Sequence, residues 1–351
     1  MPVSIARRHF VSVLGGAVAA TWPARARAQQ PGKLFRIAIV HASAPVAEMT
    51  DTGNPRFIAL FKELRRLGYV EGQNVVFERY SGAGQYSSEL ANEVVRHKPD
   101  LILTTSSRMA LNFKAATTAI PIVGLMADPV VFGIVDSLAH PGGNITGIST
   151  DAGPEIWSKR LELLREAVPG TSRAGFLASR FGWETPFAVG LRVAPERMGI
   201  SLIGPPLVAP LQEAEYRRVF KAMLQGRADA LIVSDAPEHL TYRRLIVELA
   251  ATSGLPTIYP YREQVEVGGL MAYAPDLLDV YRRAADYVDQ ILKGTKAVEI
   301  PIYLVVKFDL VVNMKAAKAI GLTIPPTLLA HGDVPGSVEF LKRSALPTLS
   351  R

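Results

Sequence analysis

The sequence predicts an α/β protein of two doubly wound parallel-sheet lobes joined by a hinge. Three observations carry that expectation. From Phe35 onward short β-branched apolar runs alternate with longer amphipathic segments, a βαβα order that calls for parallel strands buried on both faces and covered by helices. The alternation pauses at the turn-forming stretch Pro141-Gly142-Gly143-Asn144 and then starts afresh. Beyond the first 28 residues about 320 remain, enough for two lobes of ordinary domain size.

The elements follow in order. Phe35–Val40 reads as a strand, and Pro55–Leu67 as a helix with Phe57, Leu60, Phe61 and Leu64 on one face, ended by Gly68 because glycine adopts the left-handed backbone past a helix end at little cost. Asn74–Tyr80 is a strand, Ser87–His97 a helix, Asp100–Thr105 a strand, Arg108–Thr118 a helix and Pro121–Met126 a strand. A short helix is expected over Gly133–Leu138, and Ile145–Ser149 begins something new. The second series runs through helix Glu155–Ala167, strand Ala174–Ala178, helix Phe187–Met198, strand Ser201–Ile203, helix Glu213–Gln225, strand Ala230–Ser234, helix Leu240–Thr252 and strand Thr257–Tyr259. Gly268–Ala274 is a further strand, Leu277–Leu292 a long helix stopped at Gly294, Pro301–Val312 one extended stretch and Met314–Ile320 a last helix. That tail implies a chain crossing between lobes more than once, with hinges near 147–152, 272–276 and 303–309. The expected lobes are 33–148 plus 275–303, and 149–274 plus 304–351.

The first 28 residues read as a cleavable export signal. Arg7-Arg8 charge its start, Phe10 to Ala20 form an apolar run, and Ala26-Arg27-Ala28 supply the small residues of a cleavage site. The arginine pair followed by Phe10 resembles a bacterial twin-arginine signal, with Ala6 and Ser12 departing from the usual flanks; Sec export stays open beside the twin-arginine route. Cleavage near Ala28 removes four arginines and no acids, leaving 35 basic against 32 acidic side chains and a formal charge of +3. No basic stripe then remains for a nucleic-acid partner. The absence of cysteine excludes disulfides, thiolate chemistry and a lipobox-type anchor, so the expectation is a freely diffusing periplasmic protein, monomeric and without cofactor.

Several stretches resemble one family. Gly68-Tyr69-Val70-Glu71-Gly72-Gln73-Asn74-Val75, the Asp128-Pro129-Val130 corner, His140-Pro141-Gly142-Gly143-Asn144-Ile145-Thr146-Gly147 and Lys159-Arg160-Leu161-Glu162-Leu163-Leu164 are similar to the periplasmic substrate-binding components of ABC transporters, in the tryptophan/tyrosine-binding-like group. Ile258-Tyr259-Pro260, Gly268-Gly269-Leu270-Met271, Ile291-Leu292-Lys293-Gly294 and Gly321-Leu322-Thr323-Ile324-Pro325-Pro326 extend the likeness in the same order. Val305-Val306-Lys307-Phe308 stands where the group often has Pro-Thr-Lys-Phe, and Met126-Ala127 replaces small polar residues. The resemblance implies a type I periplasmic binding protein fold, a small-molecule ligand held between the lobes (an amino acid or aromatic acid), and an ABC permease as partner.

In a doubly wound sheet ligands sit beyond the carboxyl ends of the strands, which selects the candidate ligand-binding residues. Ser43 follows the first strand, and Thr105, Ser106 and Ser107 follow the third just before a helix, where hydroxyls and free N–H groups favour a carboxylate; an ordinary N-cap would use the same hydroxyls. Asp128 and Asp235 end strands in matching places of the two series and can pair with an ammonium group, though Asp128 before Pro129 also suits a turn. Trp183, beyond the strand Ala174–Ala178, and Tyr259 and Tyr261, which flank Pro260, offer aromatic surface. Arg180 can clamp a carboxylate or stand as a solvated charge.

Enzyme chemistry finds no support. Histidines at 9, 41, 97, 140, 239 and 331 fall at no metal-ligand spacing, and neither a nucleophile elbow nor a phosphate-binding loop occurs. A transcriptional regulator of the same fold would carry a helix-turn-helix where this chain has its signal. A receptor for a membrane sensor kinase remains an alternative to transport.

Overall fold

A computed structural model describes residues 33–82, 87–151, 153–184, 195–196, 198–329 and 343–344. The signal expected over 1–28 and most of the expected helix 187–198 lie outside the described residues. The first series forms strands β1 (Phe35–His41), β2 (Val75–Ser81), β3 (Leu101–Thr104), β4 (Ile122–Met126) and β5 (Ile145–Ser149). The second forms β6 (Arg173–Leu177), β7 (Ser201–Ile203), β8 (Ala230–Val233), β9 (Thr257–Tyr259) and β10 (Met271–Pro275), followed by β11 (Tyr303–Leu304), β12 (Phe308–Val312) and β13 (Arg343–Ser344). The helices are α1 (Pro55–Arg66), α2 (Ser88–Arg96), α3 (Ser107–Ala116), α4 (Pro154–Ala167), α5 (Arg180–Glu184), α6 (Glu213–Gln225), α7 (Glu238–Thr241), α8 (Arg243–Thr252), α9 (Arg262–Glu266), α10 (Leu277–Leu292), α11 (Met314–Ala319) and α12 (Pro326–Leu329).

Two sheets result, ordered β11-β5-β4-β3-β1-β2 and β13-β12-β10-β9-β8-β6-β7. Each repeats one winding, in which the second strand of the series lies outside the first and the third lies on its other side. The winding therefore reverses between β1 and β3, and again between β6 and β8, the places where such sheets open a crevice for a ligand. Pairing is parallel except where β12 meets β10 and β13. Every residue of β3, β4, β5, β8, β9 and β10 is buried, as continuous apolar runs covered on both faces require; each fully buried Leu, Ile or Val stabilises by about 1.5–3 kcal/mol. Helix α10, though late in sequence, packs on α1 of the first series through the edge-to-face rings of Tyr281 and Phe57, 5.5 Å apart. Close packing of β4 on β5 depends on Gly147, whose φ of +138° is left-handed and where a Cβ would run into the Gly124 carbonyl.

The chain passes between the sheets at residues 150–153, at Asp276, and at 305–307. The last passage divides the expected single stretch 301–312, because β11 joins β5 while β12 joins β10. Ile145–Ser149 begins no new lobe; it pairs with β4 as the next strand of the first sheet. The expected helix 133–138 is instead a run of turns and bends: Pro129 accepts from both Ile134 and Val135, and Gly133 turns the backbone to φ +64°. The expected helix 240–252 breaks at Tyr242 into α7 and α8. The strand expected from Gly268 starts at Met271, since the N–H groups of Gly268 and Gly269 first cap α9 by bonding the Val265 and Gln264 carbonyls.

Candidate functional site

A cleft of about 710 Å³, open to solvent, lies at the carboxyl edges of both sheets. One wall comes from the first sheet: Thr105 to Arg108 at the start of α3, with Leu125, Ala127, Phe132 and Thr150. The other comes from the second: Trp157, Phe176, Ser179, Phe181, the stretch Ser234 to Glu238, and Tyr261.

The α3 start explains its own sequence. Ser106 is the N-cap, its Oγ accepting from the Met109 N–H at 3.5 Å. Ser107 Oγ accepts from the Ala127 N–H at 2.9 Å and so ties the exit of β4 to α3. Thr105 Oγ1 is buried and has no partner among the described residues. Across the cleft the Phe132 and Phe181 rings stack 5.2 Å apart, and the Arg108 guanidinium lies 5.7 Å from the Phe181 ring. At another contact between the two halves, Ser43 Oγ and Thr241 Oγ1 are 2.8 Å apart.

Beneath the aromatic wall is a buried charge cluster. Asp151 accepts from the Gly153 N–H at 2.9 Å and from Trp157 Nε1 at 3.0 Å. Arg160, 3% exposed, lies 4.7 Å from the Trp157 ring and donates from Nε to the Tyr273 carbonyl; its Nη1 has no partner among the described residues. Burial, then the charge of Asp235, pushes the Asp151 carboxyl up to about 7, against the pull of Arg160 and of its two hydrogen bonds. Burial likewise raises Asp235, with Arg160 opposing. The Asp235 side chain lines the cleft and is partly accessible, while its carbonyl accepts from the Tyr261 hydroxyl at 2.5 Å. Ser234 Oγ meets His239 Nε2 at 3.0 Å, and Tyr216 closes the other ring nitrogen at 3.0 Å. Burial holds that imidazole down at about 3, so it is neutral and serves as scaffold under the cleft.

The sequence-derived residues separate into two sets. Thr105, Ser106, Ser107 and Asp235 line the cleft. Asp128 does not; its Oδ1 accepts from the N–H groups of Val130 and Val131 and forms the turn after β4. Trp183 turns inward against Phe176, 5.2 Å between centroids, while its neighbours Phe181 and Gly182 reach the cleft. Of the two tyrosines flanking Pro260, Tyr259 is core and Tyr261 is at the wall. Ser43 sits at the contact with Thr241 outside the cleft lining, and Arg180 pairs with Glu184 at the surface. Sequence reasoning missed Asp151, Arg160, Trp157 and the Phe132–Phe181 pair; the one available signal was that Asp151 falls in a crossover, where each strand end points toward the cleft.

No group of side chains suited to hold a metal ion occurs among the described residues, and no helix among them is long and apolar enough to cross a membrane. Residues 58–334 match the family described as ABC transporter substrate binding protein. A tyrosine-binding protein of Clostridioides difficile strain R20291 is 25% identical over 268 residues, covering 74% of this chain and 75% of the relative. Among solved structures, a conserved domain protein from Vibrio cholerae O1 biovar El Tor superposes with a TM-score of 0.74 at 24% identity, covering 85% of this chain and 98% of the other. An ABC domain from Streptococcus pneumonia in complex with L-Trp gives 0.71 at 22% identity, covering 84% and 97%.

Proposed function

The chain belongs to the ABC transporter substrate-binding protein family, and from that premise we propose that it captures an amino acid with an aromatic or other apolar side chain in the cleft and delivers it to a membrane permease for import. The carrying observation is Asp235: a cleft-lining carboxylate set among Phe132, Phe176, Phe181 and Tyr261, opposite the hydroxyl-bearing start of α3. A carboxylate whose pKa is raised by burial gains most from a cationic partner, because an ammonium group restores the charged form. Aromatic walls favour a planar apolar body by stacking, and Thr105, Ser106 and Ser107 supply hydrogen bonds to its polar end. Relatives named for tyrosine binding, or solved with L-Trp, support the same ligand class.

The mechanism is ligand-driven closure. The three passages at 150–153, 276 and 305–307 serve as the hinges, which moves the expected lobe bounds to 34–149 with 277–304 and to 154–275 with 308–329. Solute contacts from both walls stabilise the closed form, which docks on the permease. The protein acts without cofactor or nucleic-acid partner, as a monomer in the periplasm, after a twin-arginine-type signal is cleaved near Ala28. Native mass spectrometry of the purified mature chain tests this reading: a co-purified amino acid released on denaturation is expected. A chain that carries nothing and takes up nothing from an amino-acid mixture contradicts it.

A further inference from the structure

A second chamber of about 360 Å³ adjoins the cleft and shares Thr105, Thr150 and Tyr261 with it. Its other walls include His41, Arg56 and Tyr281. His41 is 1% exposed, and its Nδ1 accepts from the N–H groups of Ser43 at 3.1 Å and Ala44 at 2.9 Å. A neutral imidazole carries one proton, and with Nδ1 engaged as acceptor that proton is assigned to Nε2. Nε2 is buried and has no partner among the described residues. Burial, helped by the Arg56 charge, holds the imidazole down at about 3, so it stays a neutral donor throughout the physiological range. Thr105, 7% exposed, adds a buried hydroxyl whose Oγ1 has no partner among the described residues. Arg56, 6% exposed, donates from Nε to Asn54 Oδ1 and stands 5.8 Å from the Tyr281 ring. Glu263 answers part of its charge from α9 but does not line the chamber.

The chamber thus presents a fixed N–H, a hydroxyl and a guanidinium, and no carboxylate lines it among the described residues. A buried donor without an acceptor destabilises the fold, and an acceptor entering the chamber removes that penalty. We propose that this chamber is the carboxylate subsite of the ligand: the anionic end passes beyond Thr105 to His41 Nε2 and the Arg56 guanidinium, while Asp235 takes the cationic end. The α3 start keeps a smaller share of the anionic end: Ser106 and Ser107 Oγ already accept from the Met109 and Ala127 N–H groups, so each has only its O–H left to donate, where the chamber adds an N–H and a guanidinium to the Thr105 hydroxyl. The inference rests on the amino-acid reading above and assigns its two charged ends to separate places.

The test uses the full chain labelled with [15N]histidine and three probes that share an indole: L-tryptophan, tryptamine and indole-3-propionate. The two carboxylates are expected to move the His41 Nε2–H resonance and tryptamine to leave it. His41→Asn, which keeps an acceptor near the Nδ1 position and lacks Nε2, is expected to weaken L-tryptophan by on the order of tenfold or more with little change for tryptamine; Thr105→Val is expected to act in the same direction and does not disturb the His41 turn. L-tryptophan binding that leaves the His41 signal in place, or variants that weaken acid and amine alike, would overturn the assignment. If none of the three probes binds, the amino-acid reading itself fails. Formate then tests the chamber alone: a formate-dependent shift of His41 Nε2–H supports the subsite, and its absence overturns it.

Discussion

Asp151 shows how far one side chain's chemistry can depart from its residue type. In an unfolded chain its carboxyl titrates near 3.8; in the fold, burial and the neighbouring Asp235 push it up to about 7. The folded state therefore binds this proton more tightly, so the group's contribution to stability is complete below the unfolded value and is lost as pH rises from about 4 to about 7. Urea midpoints of the ligand-free protein are expected to fall across that window and to fall less in Asp151→Asn, which keeps the side chain's size and removes its charge. An identical slope in the variant would contradict the assignment. None of this was legible in the sequence, where Asp151 is one acid in a Gly-containing crossover and Arg160 one cation on an amphipathic helix; their burial arises only when β5, α4 and β10 come together. Asp235, by contrast, was legible because it ends a strand, and a strand end in a doubly wound sheet has a fixed destination. Asp128 ends a strand too, but its carboxylate is consumed locally by the N–H groups of Val130 and Val131, a competition that Asp-Pro turns set up within a few residues.

At the scale of elements, caps and termini follow the sequence closely. Asp276 receives the chain from β10 and caps α10, accepting from the N–H groups of Leu278 at 2.9 Å and Asp279 at 3.1 Å. Asp276→Ala is expected to cost about 1 kcal/mol, read from denaturant unfolding; the position sits at a passage between the sheets, so the helix that ties the late chain to the first sheet loosens first. Most strands and long helices were readable from apolar period and Gly or Pro punctuation. What escaped were short helices, α5, α7, α9 and α12, each of five residues or fewer, too short for a period to register. Their effect on the site is large: α9 begins just after Tyr261 and swings that ring to the cleft while Tyr259 stays in the core, and α5 turns Trp183 inward and Phe181 outward. Sequence position had favoured Trp183 over Phe181 and had offered both tyrosines.

At the scale of the whole molecule, two copies of one winding meet across the cleft. The Phe132–Phe181 stack, Arg108 over Phe181, and the Ser43–Thr241 hydroxyl pair all join elements of different sheets. Ligand addition is expected to reduce the radius of gyration seen by solution scattering, and Phe181→Ala to weaken ligand binding several-fold, mainly through faster release, by removing an aromatic contact worth about 0.5–1.5 kcal/mol. A radius of gyration unchanged by saturating ligand would contradict hinge closure. The measurement that bears most directly on ligand capture is calorimetric titration of L-tryptophan and L-tyrosine into the native chain and into Asp235→Asn. One-to-one binding is predicted for at least one of the two amino acids in the native chain, weakened about tenfold or more in the variant, the loss of one charge-assisted hydrogen bond. No binding of either amino acid, or equal affinity in the two proteins, would contradict the account.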